Sequence, residues 1–180
     1  MIERLTTKHK SRRTEKPEWI IVHYTGCQGT PVLICDSMAA AKKDPSSTHY
    51  IVYEREIVHC VNEAKYYAWH CATKDKKVYC AATNRNSIGV DLVPRKKSTK
   101  TLKATDKDWY FDGNTIQTAA ALIRELMADY GIDIDHVVRH YDVTHKLCPR
   151  PFVGNDANAV WGRTGNDAWE RFKRMIEAQE

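Results

Sequence analysis

The chain has 180 residues, 42% of them hydrophobic, and carries a net charge of +5. That length suits one globular domain hiding roughly 70% of its unfolded surface and leaves no room for a second large one. The charge favours polyanionic partners but is too modest and scattered to single out nucleic acid from an anionic cell wall or simple solubility, and no apolar run approaches the ~18 residues of a membrane span.

Residues 1–17, "MIERLTTKHKSRRTEKP", are polar and basic without apolar period, and read as a loosely ordered N-terminal arm ahead of a domain at 18–180. They also lack the apolar centre of a signal peptide, so the expectation is synthesis in the cytoplasm without a leader. In a reducing compartment the six cysteines are expected to be free thiols or metal ligands. No C-x-x-C is present, which argues against a zinc finger or a thioredoxin-like redox pair.

"WIIVH" at 19–23 is a continuous apolar run of strand length, as in a strand buried on both faces. In "GTPVLICDSMAAAKKDP", Thr30 is an N-cap, Pro31 sits at the first helical position, and Pro45 is a stop, which predicts a helix. "THYIVYEREIVHCV" predicts a hairpin turning near Glu54 and Arg55, and "SIGVDLV" at 87–93 another strand. Residues 94–113 are polar and lysine-rich and read as a solvated loop or as a basic rim beside a substrate.

Between Thr115 and Tyr130, Ile116, Ala119, Ala120, Ile123, Leu126 and Met127 recur at helical spacing, and Gly131 follows as the C-terminal stop. "HVVRH" supplies a last strand and "NDAWERFKRMIEA" a terminal helix. This order predicts a single α/β domain with a central mixed β-sheet flanked by helices.

A catalytic zinc needs three protein ligands and an open position. His23 and His140 each end a predicted strand, and Cys148 follows His140 by eight residues, so the two strand ends and one loop could together form a His/His/Cys site. With eight histidines and six cysteines, accidental triplets are numerous, and buried structural His and Cys is the competing reading.

The blocks "IIVHYTG", "STHYIVYE", "YAWHC", "NSIGVDL" and "RHYDVTHKLCP", in this order and at these separations, resemble the type 2 zinc-dependent N-acetylmuramoyl-L-alanine amidases, a family that includes phage endolysins and peptidoglycan recognition proteins. The likeness spans 19–176. It implies a Zn2+ ion at the strand ends held by His23, His140 and Cys148, with Lys146 stabilising the oxyanion. It also implies Asp91 as the catalytic base, because Thr48 stands where some members carry tyrosine. Trp69 and His70 match a Trp-His pair that lines the family's substrate cleft, with a packed structural histidine as the alternative for His70, and His49 matches a strand histidine of the family suited to substrate contact or to core hydrogen bonding. Asp142 is placed either to orient a ligand imidazole or to cap a loop. The chain departs from relatives at His145 and at "ERE", where "TGK" and "RDG" are common.

The resemblance further implies a peptidoglycan hydrolase cutting between N-acetylmuramic acid and L-alanine, acting as a monomer on the cell wall. A recycling amidase of the cytoplasm tends to carry aspartate as third ligand, so Cys148 favours wall lysis. A non-catalytic peptidoglycan-binding module of the same fold generally lacks that cysteine.

Overall fold

The computed structural model describes residues 1–71, 78–154 and 164–178. Its centre is the strand β3 (Trp19–Tyr24), flanked in register by β7 (Ser87–Leu92), with β4 (Tyr50–Tyr53) beyond. These pair in parallel, as does β10 (Val137–Arg139) on the other side of β3. The hairpin partner β5 (Glu56–His59) runs antiparallel to β4, with Glu54 at the turn in the left-handed region at φ 51°. A short β1 (Ile2–Glu3) adds in parallel to β5, giving the mixed order β1-β5-β4-β7-β3-β10.

Alternation along the strands divides the core. Ile20, Val22, Ile88, Val90, Leu92 and Val52 face one side, where α2 (Gly113–Tyr130) packs together with α4 (Gly165–Glu177). Asp112 caps the start of α2, and Gly131, at φ 65°, takes the left-handed stop that an L side chain resists. The opposite face is covered twice: α1 (Pro31–Ala40) sits over Ile51 and Val58, and α3 (His140–Thr144) brings Val143 onto Ile21. The strip of sheet between these two helices presents His23, Gly89 and Asp91: His23 is paired with Asp91 across β3 and β7, and Gly89 lies two residues before Asp91 on β7.

The 1–17 segment corrects the expectation of a loose arm. Besides β1, residues Lys10–Arg12 form β2, antiparallel to β6 (Tyr66–Ala68). Beyond it the half-buried guanidinium of Arg13 donates to the carbonyls of Glu63, Arg85 and Ser87. Edge pairing uses backbone groups, so it leaves no apolar period to read. The 94–113 stretch also has structure: β8 (Arg95–Lys96) pairs with β9 (Trp109–Tyr110). Lys96 is enclosed there, with Nζ 3.0 Å from Asp106 and 2.6 Å from Asp108.

Candidate metal centre and its cleft

His23 stands near the C-terminal end of β3, pointing to the face that α1 and α3 leave open. His140 follows directly on β10 and is the first residue of α3, so a strand end and a helix start fix its backbone together. The chain then turns at His145, in the left-handed region at φ 59°, and returns Cys148 to the cluster. The return is tied by the Tyr141 N–H donating to the Cys148 carbonyl at 2.8 Å.

The three side chains are buried, and their donor atoms lie within 4.8 Å of one another. His23 Nδ1 is 3.0 Å from His140 Nδ1 and 3.7 Å from Cys148 Sγ. Ligands around one tetrahedral zinc, with bonds of about 2.0–2.1 Å to nitrogen and about 2.3 Å to sulfur, stand about 3.4 and 3.6 Å apart. The donor set and spacing therefore fit such an ion. Burial, together with the neighbouring His140, His70, Lys146 and His49, holds His23 well below the usual histidine range, which keeps the imidazole neutral as a ligand must be. Burial pushes the Cys148 thiol up to about 12 against the Tyr24 backbone N–H, which stabilises the thiolate. A coordinated cation would reverse that, since a ligating thiol is deprotonated outright.

Asp91 is the neighbour of His23 across the β3–β7 pair. It is 7% exposed, and its Oδ1 is buried without a hydrogen-bond partner. Burial pushes its carboxyl up to about 7, opposed by the Thr48 hydroxyl and the Lys146 charge. An unsatisfied buried carboxyl oxygen is costly unless something else pairs with it. Asp91 also lines a cleft of about 470 Å³ that runs under α1 past Thr25, Cys27, Gly29, Ile34 and Met38. Lys146 is exposed on the returning loop, and its charge is felt at His23, Asp91 and Cys148.

The structure separates the remaining sequence candidates. His70 joins the cluster, its Nδ1 2.9 Å from His23 Nε2. His49 does not: it is fully buried, receives the Gly89 N–H on Nδ1 at 2.8 Å and lies against the Tyr66 carbonyl, so a substrate cannot reach it. Trp69 donates from Nε1 to Ser11 and stacks at 5.8 Å on His9, which ties it to the N-terminal segment. Asp142 is a cap: its carboxylate takes the Arg139 backbone N–H and a forked pair of guanidinium bonds. His145 stacks at 3.6 Å on Tyr79 and so fastens that loop to α3.

Sequence reasoning passed over Ser87 and Gly89, both of which touch His70. The signal was present, because Ser87, Gly89 and Asp91 alternate on one strand and must share a face.

Comparison with known proteins matches residues 13–151 to the family model described as N-acetylmuramoyl-L-alanine amidase. The chain belongs to that family. N-acetylmuramoyl-L-alanine amidase CwlL of Bacillus licheniformis is 32% identical over 157 residues, covering 83% of this chain and 40% of that protein. N-acetylmuramoyl-L-alanine amidase BlyA of Bacillus subtilis (strain 168) is 30% identical over 152 residues, covering 78% and 38%. The chain spans between 36% and 50% of the length of the curated relatives it matches. Among solved structures, PlyL superposes with a TM-score of 0.73 at 19% identity, over 100% of this chain and 98% of that one, a likeness of fold. Among the described residues, no helix is long and apolar enough to cross a membrane.

Proposed function

We propose that this member of the amidase family hydrolyses the amide joining N-acetylmuramic acid to L-alanine of the peptidoglycan stem peptide, in the manner of an endolysin. The observation that carries the reading is the buried His23/His140/Cys148 cluster together with Asp91, which pairs with His23 across the sheet, has an unpaired oxygen and lines a cleft. The bond specificity is taken from the relatives' names, and the endolysin assignment draws on Cys148 as third ligand.

His23, His140 and Cys148 would hold zinc, which supplies Lewis acidity and an activated water at neutral pH. Asp91 accepts the proton of the attacking water on its free oxygen and passes it to the departing L-alanine amine. Lys146 places an ammonium near the developing oxyanion, where a donor of this kind is worth about 3 kcal/mol of barrier. The cleft under α1 takes the stem peptide, with Ile34 and Met38 offering apolar contact along one wall. We assign the chain to a wall substrate, acting as a monomer.

Digestion of purified peptidoglycan by the full chain tests the proposal. New L-alanine amino termini without new reducing sugars are expected. New reducing ends without free alanine amines would replace the amidase by a glycosidase, and release of neither product would support a binding module.

A further inference from the structure

The imidazole of His70 sits edge-on to His23, with ring centroids 5.0 Å apart and planes at 85°. Its surroundings are built around it. The Asn84 carboxamide oxygen accepts the backbone N–H groups of His70 and Cys71 at 3.1 and 2.7 Å, which fixes the main chain. Ser87 Oγ lies 3.2 Å from His70 Nε2. Gly89 leaves the space the ring occupies: a Cβ there would stand 2.7 Å from His70 Nδ1 and 2.8 Å from its Cγ. Asn84, Ser87 and Gly89 all belong to the single run "NRNSIG".

Donor and acceptor roles along this chain follow one from another. The Ser87 hydroxyl has one proton, and it goes to the Thr83 carbonyl, which can only accept. Ser87 Oγ therefore meets His70 as an acceptor, and His70 carries its proton on Nε2. The neutral ring then has a bare Nδ1, which can only accept from His23. His23 in turn carries its proton on Nε2, and its Nδ1 is left with a free lone pair. That atom is the one facing His140 and Cys148.

We propose that His70 is a positioning residue: braced by Ser87 and admitted by Gly89, it locks His23 in the Nε2–H tautomer and reserves Nδ1 for the metal. This replaces the substrate-contact role expected for His70 and rests on the metal-dependent reading above. It needs no charge on any ring. A ligand imidazole is ordinarily oriented by a carboxylate or carbonyl; here a neutral histidine and a serine hydroxyl do it, ending on a backbone carbonyl.

The test measures zinc affinity of the full chain without substrate, by competition with a chromophoric chelator. It is paired with nitrogen-15 spectra of histidine-labelled, metal-free protein, which distinguish protonated from bare ring nitrogens. Wild type should show His23 and His70 as Nε2–H tautomers. His70→Leu should bind zinc about 10- to 100-fold more weakly, and His70→Asn, whose Oδ1 can stand at the place of Nδ1, should recover most of that loss. Ser87→Ala keeps the His70 ring and should leave both tautomers mixed, with a smaller loss of affinity.

A wild-type His23 protonated on Nδ1 would overturn the inference whatever the variants do. Wild-type zinc affinity in folded His70→Leu would overturn it while leaving the amidase reading intact. A wild type that binds no zinc would end both.

Discussion

His23 and His140 are separated by 117 positions in the chain, yet their Nδ1 atoms lie 3.0 Å apart. The contact is a product of sheet register: β3 and β10 are neighbours, paired from Val137 against Ile20 to Arg139 against Val22, so the next residue of each reaches the same level. If the pair exists to hold a metal with Cys148, removal of that metal must be visible in stability. A ligand present at a thousandfold excess over its Kd contributes about 4 kcal/mol, which in a chain of this size moves the melting temperature by about 10 °C. Treatment of the wild type with a strong chelator should produce a drop of that order. Cys148→Ala should bind no stoichiometric zinc by elemental analysis and should melt at the same temperature with or without chelator.

Asp91→Asn should retain zinc and lose about 10²- to 10⁴-fold in kcat, since the amide cannot accept the proton. Full activity in this variant would assign the base elsewhere. The replacement is nearly isosteric at a buried position, so a melting curve close to wild type would separate loss of chemistry from loss of fold.

Lys146→Ala removes an exposed ammonium and should leave stability and zinc content unchanged. Its cost is expected in kcat, about 10²-fold or more, with KM little altered, as for an interaction made only in the transition state. A change confined to KM would mean that Lys146 binds substrate and does not serve the oxyanion.

Away from the site, Glu63 gathers three partners: His59 Nε2 at 2.8 Å, the Tyr130 hydroxyl at 3.2 Å, and Tyr50. Burial raises its carboxyl, but the hydrogen bonds from His59, from its own backbone N–H and from Tyr50 prevail and hold it below its ordinary value of 4.5. A carboxylate depressed in the folded state contributes stability that is present above the unfolded pKa and lost as pH falls through the folded one. Glu63→Gln should cost about 2 kcal/mol at pH 7 and should flatten the loss of stability below pH 4.5. Denaturant unfolding at pH 7 and pH 3 measures both.

What could be read from the residues was whatever leaves a periodic or compositional trace. The apolar run at Trp19–His23, the Thr30–Pro31 helix start and the stripe ending at Gly131 lie in the structure where their patterns placed them. Residues 1–17 were misread because β1 and β2 are held by backbone pairing and by Arg13, and neither needs alternation. α3 leaves no trace because five residues are too few for a 3.6-residue period to recur, and its start is set by the Arg139–Asp142 clasp. For His49 the motif leaves substrate contact and core hydrogen bonding both open, because a motif gives position along the chain; the fold turns its ring inward, onto Gly89.

His140 and Cys148, the two candidate ligands that follow β10, lie on one short stretch whose ends are joined by the Tyr141–Cys148 hydrogen bond. That closed segment is held by five helical residues, by Val143 packed on Ile21, by the Arg139–Asp142 clasp, by the stacked pair at Tyr79 and His145, and by the cluster. If His140 and Cys148 hold zinc, metal loading and local order in residues 140–148 are coupled. Susceptibility of that stretch to a protease becomes a gauge of occupancy: a nick there reports an empty centre before the rest of the sheet has begun to open.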